Sequence, residues 1–249
     1  MSLISLPASA PQKLAGRVIL VTGAHGGLGS EAAKACAQAG ATVVLLGRKV
    51  PKLNRLYDVV AKAGPEPLLY PLDMEGAGPG DYAGLAERLD QALGRLDGVL
   101  HCAAEFRGLT PIEHADPLTL AQTVHVGLTA ACWLSQACIP LLRQREDAAM
   151  VFVVDDPRRV GQAYWGGYGL AQQGRNALVG MLHAEMCNGP VRVSGLRPGP
   201  MRSSLRERAY AEEPDMRLLR DPEAYADACV TLLSPEGVVH RGTIWTPAV

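Results

Sequence analysis

The 249 residues contain no C-x-x-C pair, although there are six cysteines, so the usual spacing of a zinc site is missing. No uninterrupted apolar run reaches 18 residues, which leads us to expect no membrane-spanning segment. The first twelve residues lack the basic stretch of a secretory signal and carry two prolines, so residues 1–13 read as an N-terminal arm. Charge of one sign is also missing. Lys and Arg number 24 against 25 Asp and Glu, a net charge of −1, and nothing argues for nucleic acid or an anionic membrane as partner. Cysteines Cys36, Cys102, Cys132, Cys138, Cys187 and Cys229 fall mostly in apolar surroundings. That pattern points to reduced, buried thiols in a cytoplasmic protein without a metal site.

What the chain does have is 48% hydrophobic and 20% charged residues, enough for one domain with a large core. Short apolar runs alternate with amphipathic segments along its whole length. Strands are expected at Val18–Val21, Gly40–Arg48, Leu68–Asp73, Leu96–Cys102, Ala149–Val154, Val191–Leu196 and Thr243–Trp245. Between them lie helical patterns, including a stripe of Leu53, Leu56, Tyr57 and Val60 after Pro51. Two long helices are expected, over about Pro117 to Arg143 and about Trp165 to Cys187. This alternation predicts an α/β fold, a Rossmann-type doubly wound parallel sheet of about seven strands, in a single domain over 14–249. Residues 198–222, with ten charged side chains and few core signals, are expected to form a substrate lid.

The first strand runs directly into Thr22-Gly23-Ala24-His25-Gly26-Gly27-Leu28-Gly29 and then an Ala-rich helix. A glycine turn that opens a helix after a buried strand presents backbone N–H groups and the positive end of the helix dipole to a phosphate. Glycine is required because a side chain would block close approach. About 20 residues further on, where an acid would hold a ribose hydroxyl, the chain places Gly47-Arg48. A guanidinium there suits the extra phosphate of NADP(H), with His25 assisting, so NADP(H) is favoured over NAD(H).

The spacing T-G-x-x-x-G-x-G resembles the fingerprint of the short-chain dehydrogenase/reductase family, and the resemblance runs from Leu14 to the C-terminus. Leu46-Gly47-Arg48 and Leu96 to His101 resemble a bacterial subgroup of uncharacterised oxidoreductases within it. The resemblance implies a cofactor bed of Gly23, His25, Gly26, Gly27, Leu28, Gly29 and Arg48. Asp73 and Met74 follow the third strand in that bed. Cys102 and Ala103 follow the fourth, and Pro198, Gly199 and Met201 follow the sixth. It also implies a homodimer or homotetramer packed through the two long helices.

The family's catalytic pattern is altered. Tyr168 stands where the proton-transferring tyrosine belongs, but Gln172 occupies the lysine position four residues on. Asp155 replaces the serine thirteen residues upstream, and His125 replaces the asparagine. Losing a cation and gaining a carboxylate both raise the pKa of a phenol, so Tyr168 is expected to stay protonated and to serve as an acid better than as a base. Arg158 and Arg159 are placed to neutralise Asp155 and Asp156, whereas Arg175, one turn beyond Gln172, reads as too distant to stand in for the lysine. Three functions are compatible with these residues. One is an NADP(H)-dependent oxidoreductase favouring reduction of an unknown carbonyl. The second is a nucleotide-binding pseudoenzyme acting as sensor or scaffold. The third is a non-redox acid/base enzyme, such as a lyase, that uses Asp155, His125 and Tyr168.

Overall fold

The computed structural model describes residues 12–210 and 216–248. Seven parallel strands form one sheet in the order β3-β2-β1-β4-β5-β6-β7. They are β1 (Val18–Thr22), β2 (Thr42–Gly47), β3 (Leu68–Pro71), β4 (Gly98–His101), β5 (Ala148–Val153), β6 (Val191–Leu196) and β7 (Ile244–Trp245). The central strands are apolar along their length because helices cover both faces. On one face lie α1 (Gly27–Gln38), α2 (Val50–Ala63) and α9 (Ala226–Leu233), which bury Ala33, Leu53, Val60 and Cys229 against Val21 and Leu45. On the other lie α3 (Pro79–Leu93), α5 (Ala130–Leu142) and α7 (Gly166–Met186), which bury Tyr82, Leu134 and Val179 against Leu20 and Val99.

Strand order reverses beside β1, whose Thr22 is level with Leu46 of β2 on one side and His101 of β4 on the other. A crevice therefore opens at the carboxyl ends of these strands. The Thr22 hydroxyl accepts the Ala103 N–H at 3.1 Å and ties the two loops that floor the crevice.

Two expectations need correction. The long helix after Pro117 is not uniform. It runs as α4 (Pro117–Val124), a π-helical turn (His125–Thr129) and α5. The stretch Pro117–Leu142 is also long and apolar enough, by length and composition alone, to cross a membrane, although scattered polar residues keep it from being one unbroken apolar run. In the fold it packs against α3 and α7, with Leu134, Cys138 and Leu142 buried in the core. Within the expected lid, 198–222, Ser204–Ala209 forms a short helix, α8, with the Ser203 hydroxyl accepting the Arg206 N–H. Residues 211–215 of it, and most of the N-terminal arm, lie outside the described residues. Of the cysteines, Cys187 is exposed, just past α7.

Candidate functional site

The glycine turn begins with Gly23, whose positive φ of 61° is comfortable only without a side chain. A Cβ there would lie 2.8 Å from the Ala103 Cα, so β1 and β4 approach closely because Gly23 is bare. A Cβ on Gly29 would strike the Gly23 carbonyl. The N-terminus of α1 is left open: no side chain caps it, and no acidic residue lies in its first turn. Its unsatisfied N–H groups face the crevice, as an anion-binding helix start requires.

Two adjoining cavities occupy the crevice. The smaller, about 160 Å³, is lined by His25, Gly47, Arg48, Asp73, Met74 and Ala103, among others. The larger, about 440 Å³, is lined by Gly27, Leu28 and Gly29 at one end and by Asp155, Tyr168 and Gln172 at the other. Pro198, Gly199 and Met201 form part of its wall, and Gly23, Gly26 and Cys102 border both cavities. The residues expected to hold a cofactor are thus brought together.

Arg48 is not free in the smaller cavity. It donates to Glu105 at 2.9 Å and to Glu75 at 3.4 Å, and Arg107 holds Glu75 at 2.8 Å. His25 has a buried Nδ1 without a partner among the described residues. Burial lowers its pKa, and the charges of Lys52, Lys49 and Arg48 lower it further. Asp73 turns back on its own loop and accepts the Glu75 N–H at 3.2 Å.

At the catalytic end, the Tyr168 hydroxyl donates to Asp155 Oδ2 at 3.0 Å. The other carboxylate oxygen of Asp155 accepts the Asp156 N–H at 2.7 Å, and the Asp155 N–H donates to Gln172 Oε1 at 3.0 Å. Gln172 is buried, so this amide–backbone bond fixes the loop after β5 to α7. Burial pushes the Tyr168 phenol well above its ordinary pKa, and the charge and hydrogen bond of Asp155 push it further. An apolar and aromatic wall of Phe106, Trp165 and Tyr210 surrounds it, with the Phe106 ring edge-on at 5.6 Å.

Three expectations fail here. His125 does not reach the crevice. It sits in the π turn with its ring edge-on to Trp133 at 5.1 Å, and it lines neither cavity. Arg158 and Arg159 make no ion pair with the acidic pair among the described residues, although the charges of Asp155 and Asp156 do act on Arg159. Asp156 instead caps the one-turn helix α6 (Pro157–Val160) by accepting the Arg158 N–H, and Arg159 turns to the Tyr210 hydroxyl. Arg175, set aside as too distant, is fully buried and borders the larger cavity. It lies on the same stripe of α7 as Tyr168 and Gln172, at i, i+4, i+7, and that spacing was the available signal.

Comparison with known proteins agrees with this geometry. Residues 17–214 match the family model described as short chain dehydrogenase. The uncharacterised oxidoreductase YciK of Escherichia coli K12 is 33% identical over 203 residues, covering 81% of this chain and 80% of that protein. A short chain dehydrogenase from Pseudomonas syringae superposes with a TM-score of 0.88 at 36% identity, over 96% of this chain and 98% of that one. A short chain dehydrogenase from Escherichia coli CFT073, solved in complex with NADPH, gives a TM-score of 0.89 at 31% identity, over 95% and 99% of the two chains.

Proposed function

Because the chain belongs to the short-chain dehydrogenase family, we propose that it is an NADP(H)-dependent oxidoreductase that works in the direction of carbonyl reduction. The observation that carries the direction is the Tyr168–Asp155 hydrogen bond inside the crevice. A phenol held above its usual pKa keeps its proton at neutral pH. It can give that proton to a developing alkoxide, and it is a poor base for taking one from an alcohol.

The chain's own residues fit the cofactor. The open start of α1 and the bare backbone at Gly26 and Gly27 provide room and donors for a diphosphate. Arg48 and His25 flank the smaller cavity, where a 2′-phosphate would lie, and Asp73 and Met74 border the same space. The NADPH complex of the Escherichia coli CFT073 relative supports choosing the phosphorylated nucleotide. When bound, NADPH supplies the hydride. Tyr168 then donates its proton to the substrate oxygen, and its phenolate regains one from solvent at the Asp155 end. The aromatic wall of Phe106, Trp165 and Tyr210 keeps water from the reacting carbonyl.

A phenol that borders the cavity supports a catalytic reading over a pseudoenzyme, and the non-redox reading loses one of its three groups, since His125 lines neither cavity. We further assign the described parts of the expected lid, residues 198–210 and 216–222, as bordering the substrate space, supported by Ser203 and the Pro222 ring close to Gly27. We also assign α4 and α7 as an assembly face, supported by the exposed Leu118, Leu170 and Met181. Size-exclusion chromatography with light scattering tests the second; a monomer at micromolar concentration refutes it.

The function is tested by titrating NADPH and NADH calorimetrically, then following NADPH consumption with a panel of ketones and aldehydes. The expected result is preferential NADPH binding and turnover that Tyr168→Phe abolishes. Tight binding with no consumption across the panel would return the pseudoenzyme reading. Binding of neither nucleotide would sink the proposal.

A further inference from the structure

Arg175 is among the largest fully buried side chains in the protein, at 1% exposure. Its guanidinium meets no carboxylate within ion-pair distance among the described residues. Instead it donates to backbone carbonyls: Val153 at 3.1 Å, His101 at 3.5 Å, and Gly127 and Ala103 by shorter bonds. These carbonyls come from the ends of β4 and β5, the segment just after β4, and the π turn. The π turn matters because a widened helix turn leaves a carbonyl available to an outside donor. Close approach is secured by Gly127, where a Cβ would lie 2.6 Å from that of Ala171 on α7.

Four carbonyl dipoles thus point their negative ends at one cation, which makes the pocket a cation site built from backbone. The charge is not cancelled by an anion, so its field extends along the α7 stripe toward Gln172 and Tyr168. Burial pulls the guanidinium down to about 10, still protonated at neutral pH. Its charge opposes the upward push that burial and Asp155 exert on the phenol.

We propose that Arg175 is a positioning residue for the Tyr168 proton transfer: it supplies, seven residues along α7 and through the core, the positive charge that position 172 does not carry. The inference rests on the reading of Tyr168 as the proton donor. During reduction the Tyr168 O–H bond breaks, its proton joins the substrate oxygen, and the electron pair stays on the phenolate. A buried cation lowers the energy of that phenolate. Arginine suits the task because its guanidinium has enough donors to bind several carbonyls and keeps its charge when buried.

The test reads the phenol itself, without cofactor or substrate. The full chain is labelled with 3,5-difluorotyrosine, whose acidity brings the titration into a mild pH range, and the Tyr168 fluorine resonance is assigned by its loss in Tyr168→Phe. Its titration is compared among the parent chain, Arg175→Gln, Arg175→Met and Arg175→Lys. Loss of the charge in the Gln or Met variant is expected to move the Tyr168 midpoint up by about one pH unit or more, a tenfold change in the ionisation equilibrium. Arg175→Lys, whose ammonium sits among the same carbonyls, is expected to stay within a few tenths of the parent. A neutral variant that folds and titrates with the parent overturns the proposal and leaves Arg175 as a fastener of backbone. So does the failure of both neutral variants to show a cooperative thermal transition while Arg175→Lys keeps one, because the charge would then serve the fold. NADPH turnover plays no part in these readings, so a failure of the Arg175–Tyr168 link is told apart from a failure of the redox proposal.

Discussion

The Tyr168 hydroxyl and the Asp155 carboxylate share a hydrogen bond of 3.0 Å at the floor of the larger cavity. A donor and an acid thirteen residues apart in sequence meet because α7 starts beside the loop that leaves β5. The pair sets the polarity of the site, since burial and then the charge and hydrogen bond of Asp155 all favour the protonated phenol.

Removing the donor tests its role most directly. Tyr168→Phe keeps the ring packed among Phe106 and Trp165 and deletes only the hydroxyl. Carbonyl reduction is expected to fall about 10²–10⁴-fold, the usual worth of a positioned general acid, while NADPH binding measured by fluorescence stays as it was. An equal loss of binding would show that the hydroxyl serves cofactor binding and not proton transfer.

Asp155→Asn is expected to lower the Tyr168 pKa, because the carboxylate's charge and hydrogen bond both hold it up. The sign is clear for the reverse reaction. Alcohol oxidation uses the phenolate, so its rate at fixed alkaline pH should rise, and the alkaline limb of its pH profile should move to lower pH. A profile that does not move would mean that Asp155 does not govern the phenol.

Glu105 holds the Arg48 guanidinium, which we propose meets the 2′-phosphate. Glu105→Gln should leave Arg48 held by Glu75 alone at hydrogen-bond distance and tighten NADPH several-fold with little effect on NADH, measured as the ratio of the two dissociation constants at fixed ionic strength. Because the group is near the surface, high salt should shrink the gain. An equal change for both nucleotides would place Glu105 elsewhere in the binding energy.

At the opposite end of the sheet, Asp147 joins Arg192 at 2.6 Å and Arg17 at 2.6 Å. Burial pushes this carboxyl up, and the hydrogen bonds and charges of the two arginines outweigh it, leaving the pKa below the usual value. A carboxyl with a lowered pKa stabilises the fold above about pH 4, the unfolded value, and its contribution is lost as pH falls through the folded value. Asp147→Asn should therefore cost about 1–3 kcal/mol at neutral pH, since it leaves a buried guanidinium short of its partner. The difference from the parent should narrow in acid, and urea denaturation at several pH values would show it. A cost that does not depend on pH would contradict the account.

Much of this was legible before any coordinates. The seven strands announced themselves as short apolar runs, and the glycine turn named its own neighbours, because Gly23 and Gly29 serve local geometry. Asp155 and Gln172 stood out as replaced residues, yet their mutual bond through the Asp155 N–H could not be read from spacing. His125 misled because its position in the chain said nothing of the π turn that rotates its ring toward Trp133. Arg48 was read by its charge alone, and its acidic partners come from two loops far along the chain. Arg175 was hidden for a related reason. Its partners are backbone carbonyls, which every residue carries and no sequence displays.

The carbonyl cage around Arg175 also limits how the enzyme could be re-engineered. Asp155, Gln172 and Glu105 each answer to a few near neighbours, so each can be exchanged with local repair. Arg175 fastens the ends of two strands and a helix turn to α7 at once, so any redesign of specificity that displaces it must rebuild the floor of the crevice as well. Libraries that vary the cavity wall are best drawn around it, with the backbone it gathers treated as a fixed frame.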